Sequence, residues 1–299
     1  MAPPAVETAA LSLSLGRTNI LDRLDLAFPA SGIHALIGAN GAGKSTLFRL
    51  LLGFVQPSSG QALVLGRDSR RIPPSARASI AYLNEEHRLP SWARAGELIA
   101  LHRRHFPAWQ ERRFEPAWRA CGIDEARKVS ALSRGERAGL ALALALGQAP
   151  ELLILDEPTL GLDLVARERF IAMLIAAADE DGCAILFSSH QMDEVERLAE
   201  TVTLLDRGRL RLAATPEEIC ARVTHWISDI PFKGPDPTTV PGLLQAQRIE
   251  GLHHHWVEDQ GPEFEAFLRA QGARRAEAHP SSFARAVGAY LAARAEAPR

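Results

Sequence analysis

A chain of 299 residues with 46% hydrophobic residues and a net charge of −2 is long and apolar enough to bury a core, and is neither a disordered segment nor a basic polyanion binder. Its cysteines, Cys121, Cys183 and Cys220, are odd in number and form no C-x-x-C pair, which argues against a disulfide framework or a zinc site and fits a reducing compartment. No basic start precedes an apolar stretch at the N-terminus and no run approaches the ~20 apolar residues of a membrane span, so the sequence predicts neither a signal peptide nor a crossing segment.

Residues 11–16, LSLSLG, alternate with period two, and residues 24–28, LDLAF, do so again before a Ser31-Gly32 turn; both read as antiparallel strands. Residues 33–37, IHALI, are a short apolar run suited to a buried strand. It leads into Gly38, Ala39, Asn40, Gly41, Ala42, Gly43, Lys44, Ser45 and Thr46, which fit G-x-x-x-x-G-K-[ST]. The glycines let successive N–H groups turn toward phosphate oxygens, Lys44 adds a point charge, and Ser45 offers a hydroxyl to Mg²⁺. STLFRLLLG then reads as the helix whose N-terminus faces the anion. A strand, loop and helix in that order is the context the motif needs, and it predicts a nucleotide triphosphate with Mg²⁺.

PSSG at residues 57–60 marks a turn, followed by strands at QALVLG (61–66) and ASIAYL (78–83). From about residue 86 to 147 the pattern is helical. This insert holds Trp92, Trp109 and Trp118 beside Arg103, Arg104, Arg112 and Arg113, a mixture that raises nucleic acid. Glu111 and Glu115 interrupt the charge, so the expectation is a solvated helix face over a small aromatic core, and no nucleic acid. LSRGE at residues 132–136 lies near its end.

LLILDE, residues 152–157, is an apolar strand ending in Asp156 and Glu157; carboxylates there are costly unless they act. Asp156 is placed to bind Mg²⁺ and Glu157 to polarise a water attacking a γ-phosphate. ELLILDEP, CAILFSSH and VTLLDRGRL resume as apolar strands around helices such as residues 165–178, the pattern of an α/β fold with a largely parallel sheet. Beyond residue 224, DIPFKGPDPTTVPG reads as a boundary or long loop. A small unit follows, with a strand at GLHHHWVE, a helix at PEFEAFLRAQG, and a last helix at SSFARAVGAYLAARA with a capping serine. Of the adjacent histidines, only His253 and His255 share a strand face, which favours a half-exposed strand over a metal site.

The phosphate loop, LSRGE, the Asp156-Glu157 pair and SSH at residues 188–190, in this order, make the chain resemble the ATP-binding subunits of ABC transporters over roughly residues 8–215. The resemblance implies an α/β P-loop ABC-type ATPase domain with an antiparallel β subdomain, a helical subdomain at about 86–147 and a small α+β C-terminal extension. The expected domains are residues 1–222 and 223–299. It implies ATP and Mg²⁺, with Glu157 and His190 catalytic and Ser45, Asp156 and Glu85 as metal ligands. Ser133, Arg134, Gly135 and Glu136 would meet ATP held by a second copy, and Asp163, in GLD, would cross between the copies. The implied partners are that second copy and separate transmembrane permease subunits, with the chain peripheral on the cytoplasmic face of the cell membrane. Three positions depart from the family pattern: Glu85 stands for a glutamine that relays the Mg²⁺ state, Arg134 for the second glycine of the signature, and Leu15 for the aromatic that stacks on adenine. These variations, with the C-terminal extension, look most like subunits serving exporters. An ABC ATPase acting on ribosomes or DNA, another phosphate-loop enzyme and a non-hydrolysing binding module are the other readings; Asn-Lys-x-Asp for guanine is absent.

Overall fold

A computed structural model describes residues 3–230, 240, 242–258 and 261–293. The chain forms two compact units, one of Met1–Gln191 with Leu198–Leu210 and the other of Met192–Arg197 with Arg211–Arg299.

In the first unit the chain runs through β1 (Val6–Leu15), β2 (Thr18–Phe28), β3 (Gly32–Gly38), α1 (Lys44–Leu51), β4 (Ser59–Val64), β5 (Arg67–Asp68), α2 (Pro74–Arg77) and β6 (Ile80–Asn84). Next come the helices α3 (Ala95–His105), α4 (Glu111–Cys121) and α5 (Arg134–Gly147), then β7 (Leu152–Asp156), α6 (Leu164–Asp181), β8 (Ala184–Ser188), α7 (Met192–Leu198, almost all in the second unit), β9 (Thr201–Asp206) and β10 (Arg209–Ala214, from Arg211 on in the second unit). β2, β1, β4 and β5 make an antiparallel sheet in that order, in which Val6, Leu11 and Leu13 of β1 and Leu21, Leu24 and Phe28 of β2 are buried. The other sheet has the order β10-β9-β3-β8-β7-β6. All seven residues of β3 are buried, as expected of a parallel strand covered on both faces. VTLLDRGRL is two strands rather than one, because Arg207 and Gly208 both take left-handed backbone and turn the chain.

The parallel register positions the site. Asn84 pairs with Asp156 and Asp156 with Ser188, so the C-terminal ends of β6, β7 and β8 stop side by side. β3 lies next to β8, and the loop it feeds opens at that same edge, where ligands of open α/β sheets bind. In the helical region Trp109 packs tilted against Phe114 at 5.0 Å and Phe114 stacks on Trp118 at 6.0 Å, with Arg103 over Phe114; Trp92 is exposed.

The second unit contains α8 (Pro216–Arg222), β11 (Val223–Ser228), β12 (Leu243–Ile249), β13 (Leu252–Glu258), α9 (Pro262–Ala270), β14 (Ala276–Pro280) and α10 (Phe283–Ala292). Its strands form an antiparallel sheet, β12-β13-β11-β14, over a core of Trp226, Val257, Phe264 and Leu268. This is an α+β arrangement. Most of DIPFKGPDPTTVPG lies outside the described residues. Ser282 stands at the N-cap of α10 but its side chain makes no capping bond, so that helix starts without one. His253 and His255 are buried on one face, while His254 on the other receives or gives a hydrogen bond with His225 at 2.9 Å. Among the described residues no cluster of three or more His, Cys, Asp or Glu is arranged to hold a metal.

Candidate functional site

Glycine is required where the phosphate loop passes other backbone. A Cβ on Gly38 would stand 2.4 Å from the Leu205 carbonyl oxygen, and one on Gly43 2.7 Å from Leu21. Gly43 is the N-cap of α1 at φ +105, with no side-chain cap and no acid in the first turn. The first N–H groups of α1 are therefore presented uncapped, at the positive end of its dipole. Lys44 Nζ folds back onto the loop and donates to the Gly38 carbonyl at 2.8 Å. Burial pushes the Lys44 pKa down against the pull of Glu157 and Asp156. Together these groups line a cleft of about 350 Å³ that also takes in Ser45, Thr46, Glu85, Glu157 and His190.

The far wall comes from β7 and β8. Ser188 Oγ donates to Asp156 Oδ1 at 2.7 Å and accepts the Glu157 N–H at 3.0 Å, so one hydroxyl orients both carboxylate residues. Glu157 takes left-handed backbone, φ +51, a conformation costing a non-glycine residue ~1–3 kcal/mol and characteristic of functional sites. Its carboxylate is largely buried. The His190 N–H donates to Oε2 at 3.3 Å, and His190 Nε2 stands 3.0 Å from Oε1 without hydrogen-bond alignment, leaving Oε1 buried and unmatched. Burial holds the Glu157 pKa above its ordinary value despite Lys44, and burial with the Lys44 charge lowers that of His190, so the imidazole beside Glu157 is neutral near pH 7. An unmatched buried carboxylate oxygen facing a cationic, amide-rich loop fits a water and a polyphosphate. Ser45, Asp156 and Glu85 are hard oxygen donors of the kind Mg²⁺ takes.

The LSRGE residues do not line this cleft. Ser133 caps α5: its Oγ accepts the Glu136 N–H at 3.1 Å while Glu136 Oε2 accepts the Ser133 N–H at 2.7 Å, and Glu136 pairs with Arg127. With its oxygen accepting, the Ser133 hydroxyl proton is left to give to an anion. Gly135 sits where a Cβ would meet the Ala166 Cβ at 2.4 Å, and Arg134 Nη2 donates to the Glu85 carbonyl of its own chain at 3.1 Å. Asp163 caps α6 through the Ala166 N–H. Leu15, 60% exposed at the end of β1, is also absent from the cleft wall, which contains Ile20 instead.

Ile20, the Ser188 bridge and His87 were not singled out from the sequence. His87 is buried with left-handed backbone, φ +45, and its Nε2 donates to the Pro158 carbonyl at 2.8 Å. Burial, with the charges of Arg134 and Arg137, holds its pKa down at about 4. His87 lies two residues beyond Glu85; its reach to Pro158 depends on the pairing of β6 with β7 and has no local signal.

The profile of the family described as "ABC transporter" matches residues 21–160. The chain is 35% identical over 264 residues to the Nod factor export ATP-binding protein I of Rhizobium johnstonii, covering 84% of this chain and 82% of that protein. It is 31% identical over 220 residues to the ribose import ATP-binding protein RbsA of Pseudomonas putida, covering 70% of this chain and 43% of that one. Among solved structures, an ATP-binding subunit of an ABC transporter aligns with a TM-score of 0.65 at 26% identity, over 73% of this chain and 92% of that chain. The chain spans 43% of the length of the first relatives it matches.

Proposed function

The chain belongs to the ABC transporter family of ATP-binding proteins, and from that premise we propose that it binds and hydrolyses ATP to power transport by separate membrane-spanning subunits. The observation that carries the reading is Glu157: a buried, backbone-strained carboxylate with one unmatched oxygen, in the same cleft as Lys44. Residues Gly38 to Thr46 hold the β- and γ-phosphates through backbone N–H groups and Lys44, and Glu157 Oε1 takes the proton of the attacking water. His190, neutral, steadies the γ-phosphate through Nε2 while its N–H fixes the other Glu157 oxygen. Ser45, Asp156 and Glu85 would hold Mg²⁺, which when bound offsets the charge of the phosphates.

Ser133, Gly135 and Glu136 complete the site of a second copy, with Asp163 at the crossing, while the Arg134 guanidinium turns back onto its own chain; the support is that these residues lie outside the cleft of their own chain and Ser133 keeps a hydroxyl proton to donate. ATP then closes a homodimer and product loss reopens it. No helix of the described residues is long and apolar enough to cross a membrane. In this reading the translocation path lies in the partner subunits, with the chain on the cytoplasmic face. Export is the direction favoured by the departures at Glu85 and Arg134; relatives named for export and for import both match. Substituting Glu157→Gln should lower turnover ~10²–10⁴-fold while ATP still binds. Light scattering on that variant should show a dimer with Mg-ATP and a monomer without it. Near-normal turnover, or a monomer at saturating ATP, would sink the respective half of this reading.

A further inference from the structure

Arg134 is the first residue of α5, directly after its cap Ser133. A cation in the first turn opposes the helix dipole, so the guanidinium is not there to stabilise α5. It reaches away from the helix to two other segments of the same chain. Nη2 donates to the Glu85 carbonyl at 3.1 Å. Nη1 occupies the space over Gly161, where a Cβ would stand 2.6 Å from it and where φ is +72. Gly161 lies in the turn that begins at Pro158, just after Glu157, and the Pro158 carbonyl accepts the bond from His87, two residues beyond Glu85. The short segment carrying Glu85 is thus held at both ends. His87 ties it to the turn behind the Glu157 strand, and Arg134, packed over Gly161 of that same turn, ties it to the N-terminus of α5.

We propose that Arg134 is a positioning residue acting within its own chain, a brace that fixes the loop of Glu85 against the N-terminus of α5 and the Gly161 turn. The inference rests on the ATPase reading for its consequence: whatever engages Ser133 at the tip of α5 moves Glu85 in the cleft through one guanidinium. Arginine suits this role because one arm of its flat fork donates to the Glu85 carbonyl while the rest of the plane lies over Gly161, which a compact ammonium cannot do.

The test uses the full chain. In nucleotide-free protein, amide hydrogen exchange at residues 85–87 should speed up in Arg134→Ala relative to wild type while exchange at residues 38–46 is unchanged, with Arg134→Lys intermediate. Unchanged exchange at 85–87 would overturn the brace. With Mg-ATP, Arg134→Ala should lower kcat on the order of tenfold, the rate equivalent of one charge-assisted hydrogen bond, and leave KM within about twofold. A raised KM at constant kcat would instead mean that the guanidinium contacts nucleotide, and would also overturn it. Because exchange needs no turnover, a wild-type protein that failed to hydrolyse ATP would sink the ATPase reading and still leave the brace decided by exchange.

Discussion

Ser188 and Asp156 are joined by a 2.7 Å hydrogen bond across two neighbouring strands, and the same hydroxyl receives the Glu157 N–H. Ser188 is fully buried, so its removal cannot be repaired by solvent without a cavity opening. Ser188→Ala should cost about 1–3 kcal/mol of stability, the range for leaving buried polar groups short of a partner. The Glu157 N–H would keep only the Ser188 carbonyl at 3.2 Å. Because Asp156 loses its orientation, the variant should also need more Mg²⁺ for half-maximal ATPase activity. Urea unfolding and a Mg²⁺ titration check the two parts separately, and an unchanged Mg²⁺ requirement would show that Asp156 is held by other groups.

The raised pKa of Glu157 has opposite consequences for activity and stability. Burial, opposed chiefly by Lys44, is its cause. As a base the carboxyl must be ionised, so the acid limb of kcat should lie above the ordinary glutamate range. For stability, a carboxyl whose folded pKa is raised favours the fold fully below its unfolded value, and that contribution is lost as pH rises through the folded value. Glu157→Gln should therefore raise the melting temperature at pH 8, and the gain should fade below the ordinary carboxylate range. Thermal scans at pH 8 and pH 4 check this; a gain equal at both would mean that charge is not the cause.

How far these relationships could be read in the sequence depends on whether they are local. The phosphate loop and the Asp156-Glu157 pair are runs of neighbours whose spacing alone implies the chemistry, and the α/β pattern around them follows from apolar runs such as IHALI and LLILD. The Ser188 bridge joins positions 32 residues apart and exists because Asp156 and Ser188 share a register. Neither position signals it. β14 was equally hidden: AEAHP is poor in strand-forming residues, and it is a strand because Trp226 and its neighbours pair with it. Arg207-Gly208 was a legible turn signal inside VTLLDRGRL, and the apolar run on either side masked it.

In the C-terminal unit, His255 is fully buried, bonded through Nε2 to Ser228 Oγ at 3.2 Å and packed against His253 and Phe264. Burial, aided by His253, His254 and His225, puts its pKa at about 4, and Arg248 adds positive charge on the same sheet face. A depressed histidine stabilises the fold above its unfolded value of 6.5, and that stability is lost as pH falls toward 4. His255→Phe removes the titration. The stability of that variant relative to wild type should improve from pH 7 to pH 5 by up to about 1.4 kcal/mol per pH unit. Urea unfolding at each pH measures it, and a difference independent of pH would mean that His255 takes up its proton equally in the folded and unfolded chain.

Leu15 tests how the base is held. It stands at the end of β1, paired with Thr18, with its side chain 60% exposed, while Ile20 is the residue of that hairpin on the cleft wall. Because the resemblance puts Leu15 where the family carries an aromatic, the base should meet apolar contact only, and affinity should come chiefly from the phosphates and Mg²⁺. ATP and GTP should therefore bind with similar affinity. Leu15→Tyr should tighten nucleotide binding by roughly tenfold, the lower part of the ~1–3 kcal/mol that base stacking supplies in nucleic-acid complexes. Titrating both nucleotides into wild type, Leu15→Tyr and Ile20→Ala separates the alternatives. If Leu15→Tyr changes nothing and Ile20→Ala weakens binding, the base lies against Ile20, and the tip of β1 has no part in holding it.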